Sequence, residues 1–318
     1  MFHSVTVGLD GTRESFSAVD WAAREALARD VPLELVQVRE TGAYPYSPIA
    51  DDEVEREWAQ SITDQALDEL NRNVPELHVD VEMVAGRPAH VLSDASARTD
   101  LLVLGSRGLS TVLGFIVGST ALPAVGHTAC PVVLVRARPE NEHVSEEGSE
   151  EGSEQGIEHG IKGERTDRTL PVSEPATDDI VLGVDLSRPC DELISFAFET
   201  AARHSAPLQV VHAWNIPQRS ALRPTAVPPG MTSELLDAQN QALASALHPW
   251  QERHPDLKVH AEAVVGQPAR LLVETAAQAS LLIVGRRNRR TRIGTHLGPV
   301  THAVMHHARS PVAVVPHD

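Results

Sequence analysis

The chain is short of sulfur, of positive charge and of long apolar runs, and each shortage removes a class of protein. Two cysteines in 318 residues, Cys130 and Cys190, make neither a disulfide framework nor a metal cluster. Cys130 precedes Pro131 at the edge of an apolar strand pattern and reads as a small buried thiol. The sixteen histidines are scattered, with His306-His307 the one adjacent pair, and no metal-ligand set is assigned to them. No apolar run approaches the roughly 20 residues that span a bilayer. The start, Met1 to Asp10, has no basic segment leading into an apolar stretch and does not read as a signal peptide. The expectation is a cytoplasmic protein without a membrane partner. With 27 Lys and Arg against 44 Asp and Glu, the net charge of −17 argues against nucleic-acid binding. Neither a Walker-type Gly-Lys-Ser/Thr nor a dinucleotide Gly-x-Gly-x-x-Gly occurs, so those phosphate-binding devices do not apply.

What is present is a repeat. The length suffices for two domains, each with its own core. Residues 139–179 hold thirteen acidic and three basic side chains, a net of −10, leaving −7 for the rest. Within them the stretch SEEGSEEGSEQGIEHGIKGE, rich in Glu, Gly and Ser, buries too little apolar surface to offset its ordering entropy and reads as a linker. On either side stand two copies of one pattern. Val5-Thr-Val-Gly-Leu-Asp10 matches Ile180-Val-Leu-Gly-Val-Asp185 at an offset of 175. From Val84 to Val135 the offset is 180 and 17 of 52 positions are identical. Residues 1–138 are therefore taken as a first domain, 139–177 as the linker and 178–318 as a second domain.

Continuous apolar runs such as Leu101 to Leu104 and Val132 to Val135 suit strands covered on both faces. Between them Phe16, Val19, Ala22, Ala23, Ala26 and Leu27 follow a helical period, with Thr12 and Ser15 as candidate caps. Val54 to Leu70 and Ala89 to Ala97 behave alike. The alternation predicts α/β domains in tandem, each a five-stranded parallel sheet with helices on both faces, in a Rossmann-like arrangement. Ligands of such sheets sit at the carboxyl ends of the strands, where strand order reverses.

The fourth strand of the first copy ends in Gly105-Ser-Arg-Gly108, and nine residues later Gly118-Ser119-Thr120 leads into Ala121 to Gly126. Gly105 and Gly108 can take positive φ and bring amides close to an anion. Gly118 is expected to open the last helix, whose free amides attract phosphate oxygens, with Ser119 and Thr120 adding hydroxyls. Glycines after a strand also make ordinary turns; the length and placement of the pattern favour a nucleotide.

This pattern resembles the ATP-binding signature of the universal stress protein family. The strand ending in Asp10, the Gly86-Arg-Pro88-Ala89 element and the closing His127-Thr-Ala-Cys-Pro131-Val-Val-Leu-Val accompany it. The resemblance covers both copies and implies an adenine nucleotide alpha hydrolase-like fold. It places Asp10 toward the ribose and adenosine, or as a cap of the first helix, or both. It further implies main-chain bonds from Val38, ending strand two, to adenine, and Leu104 and Gly105 along the ribose and phosphates. Gly108, Gly118, Ser119 and Thr120 would hold the triphosphate with Mg²⁺, and Arg107 either reaches a phosphate or is solvated. Family members pair through the last strand, here Ala129 to Arg136 and Ser310 to Pro316. That implies an internal pseudo-dimer, with a further homodimer open.

The second copy keeps Asp185 and Gly285 but replaces Gly108 by Asn288 and Gly118-Ser-Thr120 by Gly298-Pro299-Val300. Proline removes an amide and valine a hydroxyl. Arg286 to Arg292 carries five arginines in seven residues, read as an anion site, a dock for the acidic linker, or an exposed basic loop. The resulting expectation is an ATP-binding regulator of stress response or growth, not an enzyme beyond slow ATP hydrolysis. The alternative is an enzyme of a related fold, an adenylating ligase or an electron-transfer flavoprotein-like subunit.

Overall fold

The computed structural model describes residues 3–40, 52–106, 120–137, 177–214, 229–288 and 297–318. The first half runs β1 (Val5–Leu9), α1 (Arg13–Arg29), β2 (Leu33–Glu40), α2 (Asp52–Asn73), β3 (Val79–Gly86), α3 (Pro88–Ala95), β4 (Leu101–Gly105), α4 (Ala121–His127) and β5 (Val132–Val135). The second runs β6 (Ile180–Gly183), α5 (Asp191–Arg203), β7 (Leu208–Trp214), α6 (Pro229–Arg253), β8 (Val259–Val265), α7 (Pro268–Thr275), β9 (Leu281–Arg287), α8 (Pro299–His307) and β10 (Val312–His317). Among the described residues no helix is long and apolar enough to cross a membrane.

The local signals act as their chemistry dictates. Thr12 caps α1 by accepting from the Ser15 amide at 3.2 Å. Asp30 closes that helix in the left-handed region at φ 56°, and Ser205 repeats the turn after α5 at φ 51°. Pro88, Pro268 and Pro299 open α3, α7 and α8, where a missing amide costs nothing.

Each half orders its strands 3-2-1-4-5, all parallel, so strand order reverses between β1 and β4 and again between β6 and β9. The two five-stranded units are joined in one ten-stranded sheet, β3-β2-β1-β4-β5-β10-β9-β6-β7-β8. The join is antiparallel, pairing Val132 with Val314, Val133 with Ala313 and Leu134 with Val312. All six side chains are buried, so the seam continues the core. One apolar cluster, under α1, α2, α5 and α6, draws on both halves through Val133, Val135, Ala313 and Val315. The other, under α3, α4, α7 and α8, does so through Val132, Leu134, Val312 and Val314.

Polar groups cross the same seam. Glu25 of α1, only 2% exposed, accepts from Arg29 at 2.6 Å, from His204 at 2.7 Å and from Arg203 at 3.3 Å. Arg286 of β9 donates to the Thr128 carbonyl at 2.6 Å, just past the end of α4. Arg136, just after β5, donates to the Met305 carbonyl in the last turn of α8. Both arginines meet the negative end of a helix in the opposite half.

Candidate functional site

In the first half the sequence-designated residues gather at the carboxyl ends of β1 and β4, on either side of the point where strand order reverses. Asp10 follows β1 and is exposed. Its Oδ1 accepts from the Thr12 amide at 3.0 Å and from the Thr12 hydroxyl at 2.6 Å. The carboxylate therefore stiffens the turn into α1 while facing outward. Gly11, at φ 77°, completes that turn in a conformation that excludes a side chain.

Gly105 ends β4, but not because of positive φ, which among the described glycines belongs to Gly11 and Gly266. The reason is proximity. A Cβ on Gly105 would stand 2.7 Å from the Glu14 carbonyl carbon and 2.7 Å from the Ser15 nitrogen. The first turn of α1 thus lies directly on the end of β4. Leu104 points into the core beneath α3 and α4, so only its main chain reaches the mouth. Val38 does not end its strand: β2 runs on to Glu40, paired with Gly86 of β3. On its other side the β1 ladder stops at Gln37, so residues 38–40 extend past β1.

Thr120 sits at the N-cap of α4 with φ −89° and ψ −46°, and its hydroxyl makes no capping bond. The α4 helix holds seven residues, so its dipole is a modest attractant. Arg107, Gly108, Gly118 and Ser119 lie outside the described residues.

Two features of the first half carry no motif. Ser106 is fully buried and its Oγ has no hydrogen-bond partner, although its amide donates to the Val135 carbonyl at 2.7 Å. A buried orphan hydroxyl calls for a polar visitor such as a ligand or water. Trp58 of α2 is 61% exposed. An isolated serine inside a Gly-x-x-Gly and a single tryptophan in a helical pattern gave no periodic signal to find them by.

In the second half the corresponding positions engage one another. Asp185 Oδ1 accepts from the Ser187 amide at 3.0 Å, and its Oδ2 accepts from Arg287 at 3.2 Å. Burial works to raise its pKa, but the Ser187 hydrogen bonds and then the Arg287 charge outweigh it and hold the carboxyl below its ordinary range. The ladder between β9 and β10 has six residue pairs, through Arg287 with His317, where that between β4 and β5 has four. Beyond it the Asn288 amide donates to the His317 carbonyl at 2.7 Å. Asn288 stands where the first copy has Gly108, so an amide position expected to face phosphate is spent on the sheet. A Cβ on Gly285 would fall 2.4 Å from His317 Nε2, so an imidazole covers that glycine. The Thr301 hydroxyl donates to the Gly285 carbonyl at 2.7 Å. The five-arginine stretch is described only through Asn288; there Arg286 faces the seam and Arg287 faces Asp185.

Both thiols are buried, and burial pushes Cys130 up to about 12 and Cys190 up to about 11. His302 and His306 are one turn apart on α8, a spacing passed over in the sequence, with ring centroids 4.5 Å apart. Among the described residues no group of three or more His, Cys, Asp or Glu is set to hold a metal.

The profile of the universal stress protein family matches residues 1–136 and again 177–316. The chain belongs to the universal stress protein family. It is similar end to end to curated members. A universal stress protein of Mycolicibacterium smegmatis is 31% identical over 322 residues, covering 98% of this chain and 97% of that one. One from Mycobacterium tuberculosis is 28% identical over 320 residues, with 98% and 96% covered. Among solved structures, the universal stress protein of Archaeoglobus fulgidus superposes with a TM-score of 0.65 at 14% identity, covering 99% of this chain and 98% of that one. At that identity the likeness concerns the fold, and it extends across both halves.

Proposed function

We propose that the first half binds ATP and that the protein is a nucleotide-dependent regulator of the stress response or of growth. The observation that supports this reading is the position of Asp10 and Gly105 at the carboxyl ends of β1 and β4, on either side of the reversal point. Sheets of this order receive ligands there. The residues present suit such a guest. Ser106 offers a buried hydroxyl with no protein partner, and Thr120 a hydroxyl not used in capping. Asp10 offers an outward carboxylate for ribose hydroxyls.

In this reading residues 105–120 wrap the phosphates, with Arg107, Gly108, Gly118, Ser119 and Thr120 supplying donors. Main-chain groups near Val38, beyond the end of β1, take the adenine. Leu104 contributes its main chain beside the ribose and phosphates. A divalent cation such as Mg²⁺ is shared among the phosphate oxygens and needs few protein ligands. No residue is assigned as a nucleophile or general base, so the output is a change of partners or shape, not turnover. The two halves work as an internal pseudo-dimer. Support for that comes from the antiparallel β5–β10 seam and the arginines that cross it.

The test is direct. Purified protein is denatured and the supernatant analysed for adenine nucleotides, and nucleotide-free protein is melted with and without ATP and Mg²⁺. Released nucleotide or a rise in melting temperature is expected; neither appearing removes the reading.

A further inference from the structure

The second copy departs from the first in one helix whose side chains the nucleotide reading does not use. At the repeat offset of 180, Leu122 and Gly126 of α4 become His302 and His306 of α8. Residues four apart share one face of a helix, separated by about 40° around it and about 6 Å along it. Helical side chains lean toward the N-terminus, so the His306 imidazole leans back over His302. The two rings meet with centroids 4.5 Å apart and planes inclined at 41°.

That separation suits a shared metal ion. With a metal–nitrogen bond of roughly 2.0–2.1 Å, each imidazole centre lies about 3.2 Å from the ion, and two rings at about 90° around it have centres about 4.5 Å apart. An angle near 90° belongs to the tetragonal coordination of Ni²⁺ and Cu²⁺, and imidazole nitrogen selects such ions over Mg²⁺ and Ca²⁺. His302 is exposed and His306 half-buried, which leaves a solvent side where water completes the shell. His306 also stands in the last turn of α8, where carbonyls favour a cation. The Arg136 guanidinium on the Met305 carbonyl opposes a second cation nearby, so chelation by both rings has to carry the binding.

We propose that His302 and His306 form a binding site on α8 for one divalent transition-metal ion of the Ni²⁺ and Cu²⁺ kind. The site belongs to the second copy alone and is independent of the nucleotide reading. An ion held by both rings cross-links one turn of α8 and stabilises the helix. That helix is tied to its surroundings at two points: the Thr301 hydroxyl donates to the Gly285 carbonyl of β9, and the Met305 carbonyl accepts from Arg136 of the other half. Metal loading therefore strengthens the seam as well as the helix.

The test uses whole, untagged protein stripped with EDTA, titrated with Ni²⁺ by calorimetry and melted with and without the ion. His302→Ala and His306→Ala are each expected to bind one equivalent fewer than wild type. His307→Ala, whose ring lies about 100° farther around the helix, is expected to bind as many as wild type. Ni²⁺ is expected to raise the melting temperature of wild type but not of His302→Ala, and Mg²⁺ to raise neither. His302 is exposed, so His302→Ala melts like wild type without metal, which separates a lost site from a lost fold. Equal Ni²⁺ stoichiometry in His302→Ala and wild type overturns the inference. So does loss of the same equivalent in His307→Ala, or a shift with Mg²⁺ equal to that with Ni²⁺.

Discussion

Arg287 reaches the Asp185 carboxylate at 3.2 Å, at the position in the second half that Asp10 occupies in the first. The same arginine occurs in both copies, as Arg107 and Arg287. In the second half β9 continues to Arg287 beside β10, and the Asn288 amide is then bonded to the His317 carbonyl. In the second half both the main chain and the ion pair thus engage groups at the strand ends. Equilibrium dialysis with labelled ATP is expected to saturate at one nucleotide per chain. Two per chain would show that the second half opens.

Breaking that ion pair alone does not reopen the site. Arg287→Ala frees Asp185 but leaves the six-pair ladder in place, so the dialysis stoichiometry stays at one. A second equivalent bound by this variant would mean that Arg287 was the sole obstruction.

Gly105 and Gly285 occupy matching positions and meet different neighbours, so alanine at each has a different cost. At Gly105 the new methyl strikes the α1 backbone, which has nowhere to move, and urea denaturation of Gly105→Ala is expected to show a loss of about 2 kcal/mol. At Gly285 the nearest atoms belong to the His317 ring, which can rotate aside, and the loss is smaller. Equal losses would contradict the packing described.

Glu25 is the buried anion of the seam. Burial favours its neutral form, but hydrogen bonding and charge from His204 and Arg29 win, and the carboxyl is held below the ordinary range. A depressed folded value stabilises the protein above the unfolded value of about 4.3 and loses that contribution as pH falls through the folded one. Stability measured from pH 7 to pH 3 should therefore fall less steeply in Glu25→Gln than in wild type. At neutral pH, Glu25→Ala deprives the Arg29 and Arg203 guanidinium groups of their buried carboxylate and is expected to cost about 3 to 5 kcal/mol. Parallel pH profiles would remove Glu25 from the account.

The sequence was informative where chemistry is local. Strand ends, the Thr12 cap and the Asp10 and Asp185 turns follow from residues within a few positions of each other, and the repeat doubled each signal. The seam was less legible. Val132 to Val135 reads as buried strand whatever covers it, so joining of the halves into one sheet came from the family resemblance, not from the pattern. Glu25 lies on a regular helical face, and its partners Arg203 and His204 are far along the chain. Ser106 and Arg286 are aligned, yet one is a buried hydroxyl without a partner and the other a strut across the seam.

The central claim, that the main chain between β4 and α4 holds the triphosphate, is tested most directly by titrating ATP into whole, nucleotide-free protein and into its Gly118→Val variant. The account predicts one site in the wild-type protein and its loss in a variant that melts at the same temperature. Undiminished affinity in a folded Gly118→Val protein would contradict it.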